Sequence, residues 1–96
     1  MTVWVTEYPG AGYVSVPQEP ALAVQQGATA AAALSTFALG ATTGLVRITA
    51  DTAYYLLVTA SASTVAASTT NAPRMPPNII EYRTVAPSAR ITALST

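Results

Sequence analysis

The clearest strand signal in the sequence is the stretch LVRITADTAYYLLVT, residues 45–59. Its first half alternates, so that Val46, Ile48 and Ala50 fall on one side of an extended chain and Arg47 falls on the other. Its second half, residues 53–59, is apolar on both sides, which is typical of a strand covered on two faces. Two strands of one core are therefore predicted here. The side chains expected to be buried in them are Val46, Ile48, Leu57 and Val58.

Similar short runs recur along the chain, separated by turns rich in proline and glycine. They cover residues 3–8, 13–16, 21–25, 79–85 and 90–94. Each is long enough for a strand and too short for a helix. Residues 28–39 contain good helix formers but no charged face, so they fit a strand plus a loop or a short helix, and we favour the former. The sequence predicts one all-β domain over residues 1–96, an antiparallel β-sandwich or jelly roll of about seven to eight short strands.

Two segments of this domain are expected to be irregular. Residues 1–20 combine aromatic residues with prolines, which favours an extended N-terminal arm and edge strand. Residues 60–78 form a long loop, whose first half lacks any period and whose second half holds three prolines. Long loops in small domains tend to be functional. The alternative is an ordered connection with an extra strand around Val65, and the sequence leaves both open.

Composition excludes several kinds of chemistry. The 96 residues contain four acidic residues, four arginines, no lysine, no histidine and no cysteine. Disulfides, thiolate or imidazole metal sites and histidine catalysis are thus excluded. The remaining carboxylates are dispersed, and Glu7 and Glu81 are expected to be solvated and paired with arginine, Glu81 being on one strand face with Arg83. We therefore expect no enzyme activity, no cofactor and no metal.

Charge and hydropathy also bear on partners. Four dispersed arginines give no basic patch for nucleic acid or an anionic membrane. The uncharged residues 20–46 hold too few strongly apolar side chains for a membrane span. We do not expect residues 1–7 to be a secretory signal, because they lack a basic region and contain an early acidic residue, Glu7. Only 8% of the residues are charged, which is low for the surface of a free monomer. This indicates that partners cover much of the surface.

The candidate interface residues are aromatic side chains and arginines. Tyr54, Tyr55 and Tyr82 are expected in the core. The N-terminal aromatic residues fit either the core or a platform that binds a protein or a sugar. Two arginines, one opposite an apolar strand face and one in the long loop, are free to reach a neighbour. The resulting candidates are Trp4, Tyr8, Tyr13, Arg47 and Arg74.

Three motifs and their order resemble a known group of proteins. The first is VWVTEY from residue 3, followed by a glycine-containing break and a PxxP linker at residues 17–20. The second is LVRITAD at residues 45–51 with the apolar strand after it, and the third is IIEYRTV at residues 79–85 before a last strand. Together they resemble the small β-sandwich proteins that decorate or cement the capsids of tailed bacteriophages. The chain departs from the pattern in its last turn, residues 85–88, which lacks glycine.

The resemblance implies a function and partners. It implies a structural virion protein, made in the host cytoplasm, that binds the major capsid protein on the outer capsid surface. It also implies a homo-oligomer, most often a trimer in this group. The alternative kept open is a head-fibre or glycan-binding module that contacts the host surface through its N-terminal aromatic residues.

Overall fold

The computed structural model describes residues 1–9, 21–28 and 34–95. Eight strands and no helix occur in these ranges, which confirms the all-β prediction. The strands are β1 (Thr2–Tyr8), β2 (Ala23–Ala28), β3 (Leu34–Ala38), β4 (Leu45–Ala50), β5 (Tyr54–Thr59), β6 (Arg74–Met75), β7 (Glu81–Thr84) and β8 (Arg90–Ser95). The strand prediction for residues 28–39 is confirmed by β3, and residues 29–33 lie outside the described ranges.

The strands form two four-stranded antiparallel sheets packed as a β-sandwich. The first sheet has the order β2-β1-β4-β7, and the second has the order β3-β8-β5-β6. The two sheets share one core of inward-facing side chains, to which β1, β3, β4, β5 and β8 contribute alternate positions. The sandwich prediction is therefore confirmed.

The core confirms one predicted strand face and corrects the other. Val46 and Ile48 of β4 are fully buried, as predicted. On β5 the buried residue is Leu56, and the prediction for Leu57 is wrong because that side chain lies half-buried on the opposite face. Val58 is partly buried and packs against the core. A strand with apolar residues on both sides has no alternation to show which side faces inward.

The N-terminal residues do not form an arm over Thr2–Tyr8. β1 lies between β2 and β4 and pairs with both along its length, and its Val3 and Val5 are fully buried. This corrects the expectation of an arm and edge strand for that part of residues 1–20. Residues 10–20, which include the predicted strand at residues 13–16 and Tyr13, lie outside the described ranges. Deleting residues 1–8 would therefore remove an inner strand and unfold the domain.

The long loop lies against the outer face of the second sheet. The backbone N–H of Ala67 donates to Thr92 Oγ1 at 2.8 Å, and the Arg90 guanidinium donates to the Ser63 carbonyl at 2.6 Å. Ala67 and Thr92 are consequently buried. No strand forms around Val65, and the extra strand in this region is β6, at the end of the loop. Residues 60–72 thus cover the middle of one face of the sandwich, over β8.

The glycine-free turn before β8 has a backbone conformation that glycine favours. Ser88 has a φ of 58°, and Ala89 N–H donates to the Ala86 carbonyl at 3.2 Å across the turn. Residues other than glycine, asparagine and aspartate seldom adopt this left-handed backbone conformation, because their Cβ atom crowds the backbone there. The turn forms, but Ser88 is strained in it.

Glu7 is buried, which corrects the prediction of a solvated carboxylate paired with arginine. Its side chain is 3% exposed. Oε1 accepts hydrogen bonds from Gly40 N–H and Thr43 Oγ1, both at 2.8 Å, and Oε2 accepts one from Gln25 Nε2 at 2.9 Å. Burial raises the pKa of Glu7, but the bonds from Gly40, Gln25 and Thr43 outweigh it, so the pKa lies below the ordinary value. Glu7 is therefore a buried carboxylate whose hydrogen bonds connect β1 to β2 and to the turn after β3.

Candidate interaction surface

The outward side chains of the first sheet form one continuous surface. Side chains that are directly opposite each other on antiparallel strands share a face of the sheet. The register places Thr6 beside Val24 and Arg47, Arg47 beside Tyr82, and Trp4 beside Gln26 and Thr49. We call this surface the outer face of the first sheet. Its members include Trp4, Thr6, Val24, Gln26, Arg47, Thr49 and Tyr82, and Tyr8 and Leu45 lie buried at one end of it.

Large apolar side chains are exposed on this outer face. Trp4 is 37% exposed, Val24 67% and Tyr82 47%. The core prediction for Tyr82 is wrong, whereas Tyr54 is buried as expected and Tyr55 is half-buried. A single exposed apolar side chain is ordinary on a protein surface, but several on one sheet face indicate an interaction site.

Arg47 lies in the middle of this face, between Thr6 of β1 and Tyr82 of β7. The side chain is half-buried, and its Nε is buried without a hydrogen-bond partner among the described residues. None of the described carboxylates pairs with it: Glu7 accepts from Gln25, Gly40 and Thr43, Asp51 accepts from the Thr2 N–H, and Glu81 pairs with Arg83. Because Nε itself is buried, an acceptor on another molecule would meet the terminal nitrogens of the half-buried Arg47 side chain.

The opposite side of the sandwich differs. Residues 60–72 lie over the middle of the outer face of the second sheet, where Thr92 is only 1% exposed, while Leu34 on the same face is 42% exposed. Arg74 is exposed on this side, because it is paired with Tyr55, whose side chain also faces outward. Arg47 and Arg74 thus lie on opposite faces and cannot belong to one compact contact.

The structure brings together only part of the predicted site. Trp4 and Arg47 share the outer face of the first sheet. Tyr8 is 5% exposed at the end of β1, so it is a buried residue and offers no contact surface. Tyr13 lies outside the described residues. Arg74 is on the covered side of the sandwich, as described above.

Two members of the outer face were missed from the sequence, Val24 and Tyr82. Val24 follows two prolines in a run without clear alternation, and no sequence signal distinguishes it. Tyr82 belongs to an alternating run whose apolar side was assigned to the core. In β7 the charged side chains Glu81 and Arg83 face inward instead, because an edge strand lets inward side chains reach water at the margin of the sandwich.

The inward charges of β7 form the predicted ion pair. Arg83 Nε lies 3.2 Å from Glu81 Oε1, and both side chains are about one-third exposed, at 36% and 33%. Tyr54 lies near them, and its hydroxyl is buried without a hydrogen-bond partner. Burial and the nearby Glu81 carboxylate raise the pKa of Tyr54 to about 12, although the Arg83 guanidinium acts in the opposite direction. The hydroxyl is therefore neutral at ordinary pH.

The described ranges show no cluster of three His, Cys, Asp or Glu residues that could hold a metal ion. No helix in the same part of the chain is long and apolar enough to cross a membrane. Comparisons of the chain with protein-family models, with curated protein sequences and with solved structures find no match. The outer face of the first sheet is the surface on which a function can be argued.

Proposed function

We propose that this protein is a structural component of a phage virion that binds the outside of the capsid and cements or decorates the shell of major capsid protein. The observation that carries the proposal is the asymmetry of the sandwich. Residues 60–72 lie over the middle of one outer face, at Thr92, and leave Leu34 and Arg74 exposed on its outer strands. The other outer face presents Trp4, Val24 and Tyr82 around an arginine without a described partner. A face of this kind is suited to permanent contact with another protein.

The chemistry of the face defines the partner surface. Apolar side chains require apolar residues opposite them, and Arg47 requires a carboxylate or carbonyl oxygen. Tryptophan, tyrosine and arginine are the residues that most often dominate binding energy at interfaces. We infer that the capsid protein presents an apolar patch with an acceptor opposite Arg47.

Repetition on a shell explains how a small contact suffices. A self-associated decoration protein meets several capsid subunits at once, so weak individual contacts combine into tight binding. Only 8% of the residues in the chain are charged, which also suits a protein whose surface is largely in contact with other proteins.

Capsid occupancy of matched variants tests this proposal. Trp4→Ala and Arg47→Ala should each lower occupancy, because both side chains lie on the outer face of the first sheet. Leu34→Ala and Arg74→Ala are the controls, since both side chains are exposed on the other side of the sandwich. Occupancy lost equally in all four variants, or in none, would contradict the proposed face.

The glycan-binding alternative has one observation in its favour, the exposed ring of Trp4 on a flat sheet face. A glycan array with the isolated protein distinguishes the two functions. Specific glycan binding that Trp4→Ala abolishes, together with no binding to shells, would favour the alternative.

A further inference from the structure

β7 is an open edge of the first sheet. The hydrogen bonds to β4 show which of its backbone groups are already paired and which face outward. Val85 N–H donates to the Gly44 carbonyl at 3.0 Å, which makes these two residues a hydrogen-bonded position at the end of the β4–β7 ladder. Bonded and non-bonded pairs alternate along an antiparallel ladder. The backbone N–H and C=O groups of Glu81 and Arg83 therefore form hydrogen bonds with β4. Those of Tyr82 and Thr84 point away from β4.

The opposite edges of the two sheets are protected. β2 and β3 are consecutive strands at the same side of the sandwich, and Gln25 Nε2 of β2 donates to the Ala38 carbonyl of β3 at 3.0 Å. β6, on the same side as β7, has only two residues. β7 is flanked by Ile79 and Ile80, which are 51% and 46% exposed. An apolar edge with unpaired backbone groups is a template for another strand.

We propose that a second copy of this chain pairs with this edge, β7 against β7, antiparallel and about a two-fold axis at Tyr82. In this register Tyr82 is opposite Tyr82 of the second copy, and the backbone groups that point away from β4 meet in phase. A shift of one residue would place them out of phase, because bonded positions recur every two residues.

Charge selects this register among those that are in phase. With Tyr82 on the axis, Glu81 of each copy is opposite Arg83 of the other, so the contact contains two equivalent ion pairs. Sliding one strand by two residues in either direction puts Glu81 opposite Glu81 or Arg83 opposite Arg83. Since Glu81 already contacts its own Arg83, each carboxylate in the dimer lies between two guanidinium groups.

The contact is two-fold, so it produces a dimer and not the trimer that the resemblance implies. It uses the edge of the first sheet, whereas the proposed capsid contact uses its outer face. The inference therefore does not depend on the proposed function, and either can fail without the other.

Sedimentation equilibrium of the full chain from micromolar to millimolar concentration tests the dimer. The wild-type protein should dimerise. Arg83→Glu should weaken dimerisation by at least about tenfold, because two attractive cross-strand pairs become repulsive. Arg74→Glu changes net charge by the same amount on the outer face of the second sheet and should dimerise as the wild type does. A wild-type monomer or trimer at every concentration would overturn the proposal.

Mixing two charge variants tests the register. Glu81→Arg and Arg83→Glu should each be monomeric alone, with circular dichroism showing that both remain folded. Mixed in equal amounts, they should form a heterodimer, because opposite charges then meet at both symmetry-related positions. If the mixture stays monomeric, or if Arg83→Glu alone dimerises as tightly as the wild type, the β7 contact is refuted.

Discussion

Replacing Glu7 by glutamine tests the buried network that ties β1 to β2 and to the turn after β3. Glutamine has the same shape, and its carbonyl oxygen can accept the bonds from Gly40 and Thr43. Its amide nitrogen then faces Gln25 Nε2, so that two donors oppose each other. Rotating the Gln25 amide by half a turn would present its oxygen to the new amide nitrogen, but Gln25 Nε2 would then lose its hydrogen bond to the Ala38 carbonyl.

The expected loss of stability follows from these contacts. Two charge-assisted bonds become neutral, which costs about 1 kcal/mol each, and the unmatched donor pair costs about 1–3 kcal/mol more. Relief from burying a charge offsets part of this. We expect the free energy of unfolding to fall by about 2 kcal/mol, which for a domain of this size lowers Tm by about 10 °C.

The pH dependence of this difference follows from the lowered pKa of Glu7. Since its pKa in the folded protein is below the ordinary value of 4.5, the carboxylate contributes stability that is fully present above pH 4.5. That contribution is lost as pH falls through the lowered pKa. The gap between the wild type and Glu7→Gln should therefore be widest near pH 7 and narrow in acid.

Urea unfolding at pH 7 and at several acidic pH values measures both effects. Glu81→Gln is the matched control, because its ion pair with Arg83 is partly exposed and should contribute only about 0–1 kcal/mol. If Glu7→Gln is as stable as the wild type at pH 7, or if the gap between them is constant with pH, the network does not act as reasoned.

Three further substitutions test separate details of the packing by thermal or urea unfolding. Tyr54→Phe should raise the free energy of unfolding by about 1 kcal/mol, because it removes a buried hydroxyl without a partner; a loss of stability would mean that the hydroxyl is bonded. Ser88→Gly should stabilise by about 0.5–1 kcal/mol by relieving the positive φ, and no gain would place the strain elsewhere. Gly27→Ala should destabilise by about 1–3 kcal/mol, since its Cβ would lie 2.9 Å from Phe37 Cζ in the core; an unchanged Tm would show that Phe37 yields freely.

The alternation of apolar and polar residues along the chain predicts much of this fold. It fails for strands that do not have one buried face and one solvent-exposed face. The β4 residues Val46 and Ile48 alternate cleanly and were assigned correctly. Leu57 was misassigned because β5 is apolar on both sides. Tyr82 was misassigned because the edge position of β7 lets its charged side chains face inward.

The candidate site was only partly predictable for a related reason. Trp4 and Arg47 were identified one by one, but their neighbourhood depends on strand order, which a local pattern does not contain. Glu7 is the extreme case. Its donors, Gln25, Gly40 and Thr43, are 18 to 36 residues away in the sequence, so nothing near Glu7 indicates that a carboxylate can be buried there.

The central place of β8 in the second sheet has a consequence for how the protein is made. β3 and β5 do not pair with each other; each pairs with β8, so the sheet has no centre until residues 90–95 exist. At typical elongation rates of about 5–20 residues per second, the interval between β3 and β8 lasts about 3–10 s. Until β8 is made, the backbone edges of β3 and β5 that pair with it are unpaired, and unpaired strand edges promote aggregation. The folding yield of this protein should therefore depend on protection of the nascent chain, by chaperones or by rapid pairing once β8 is complete.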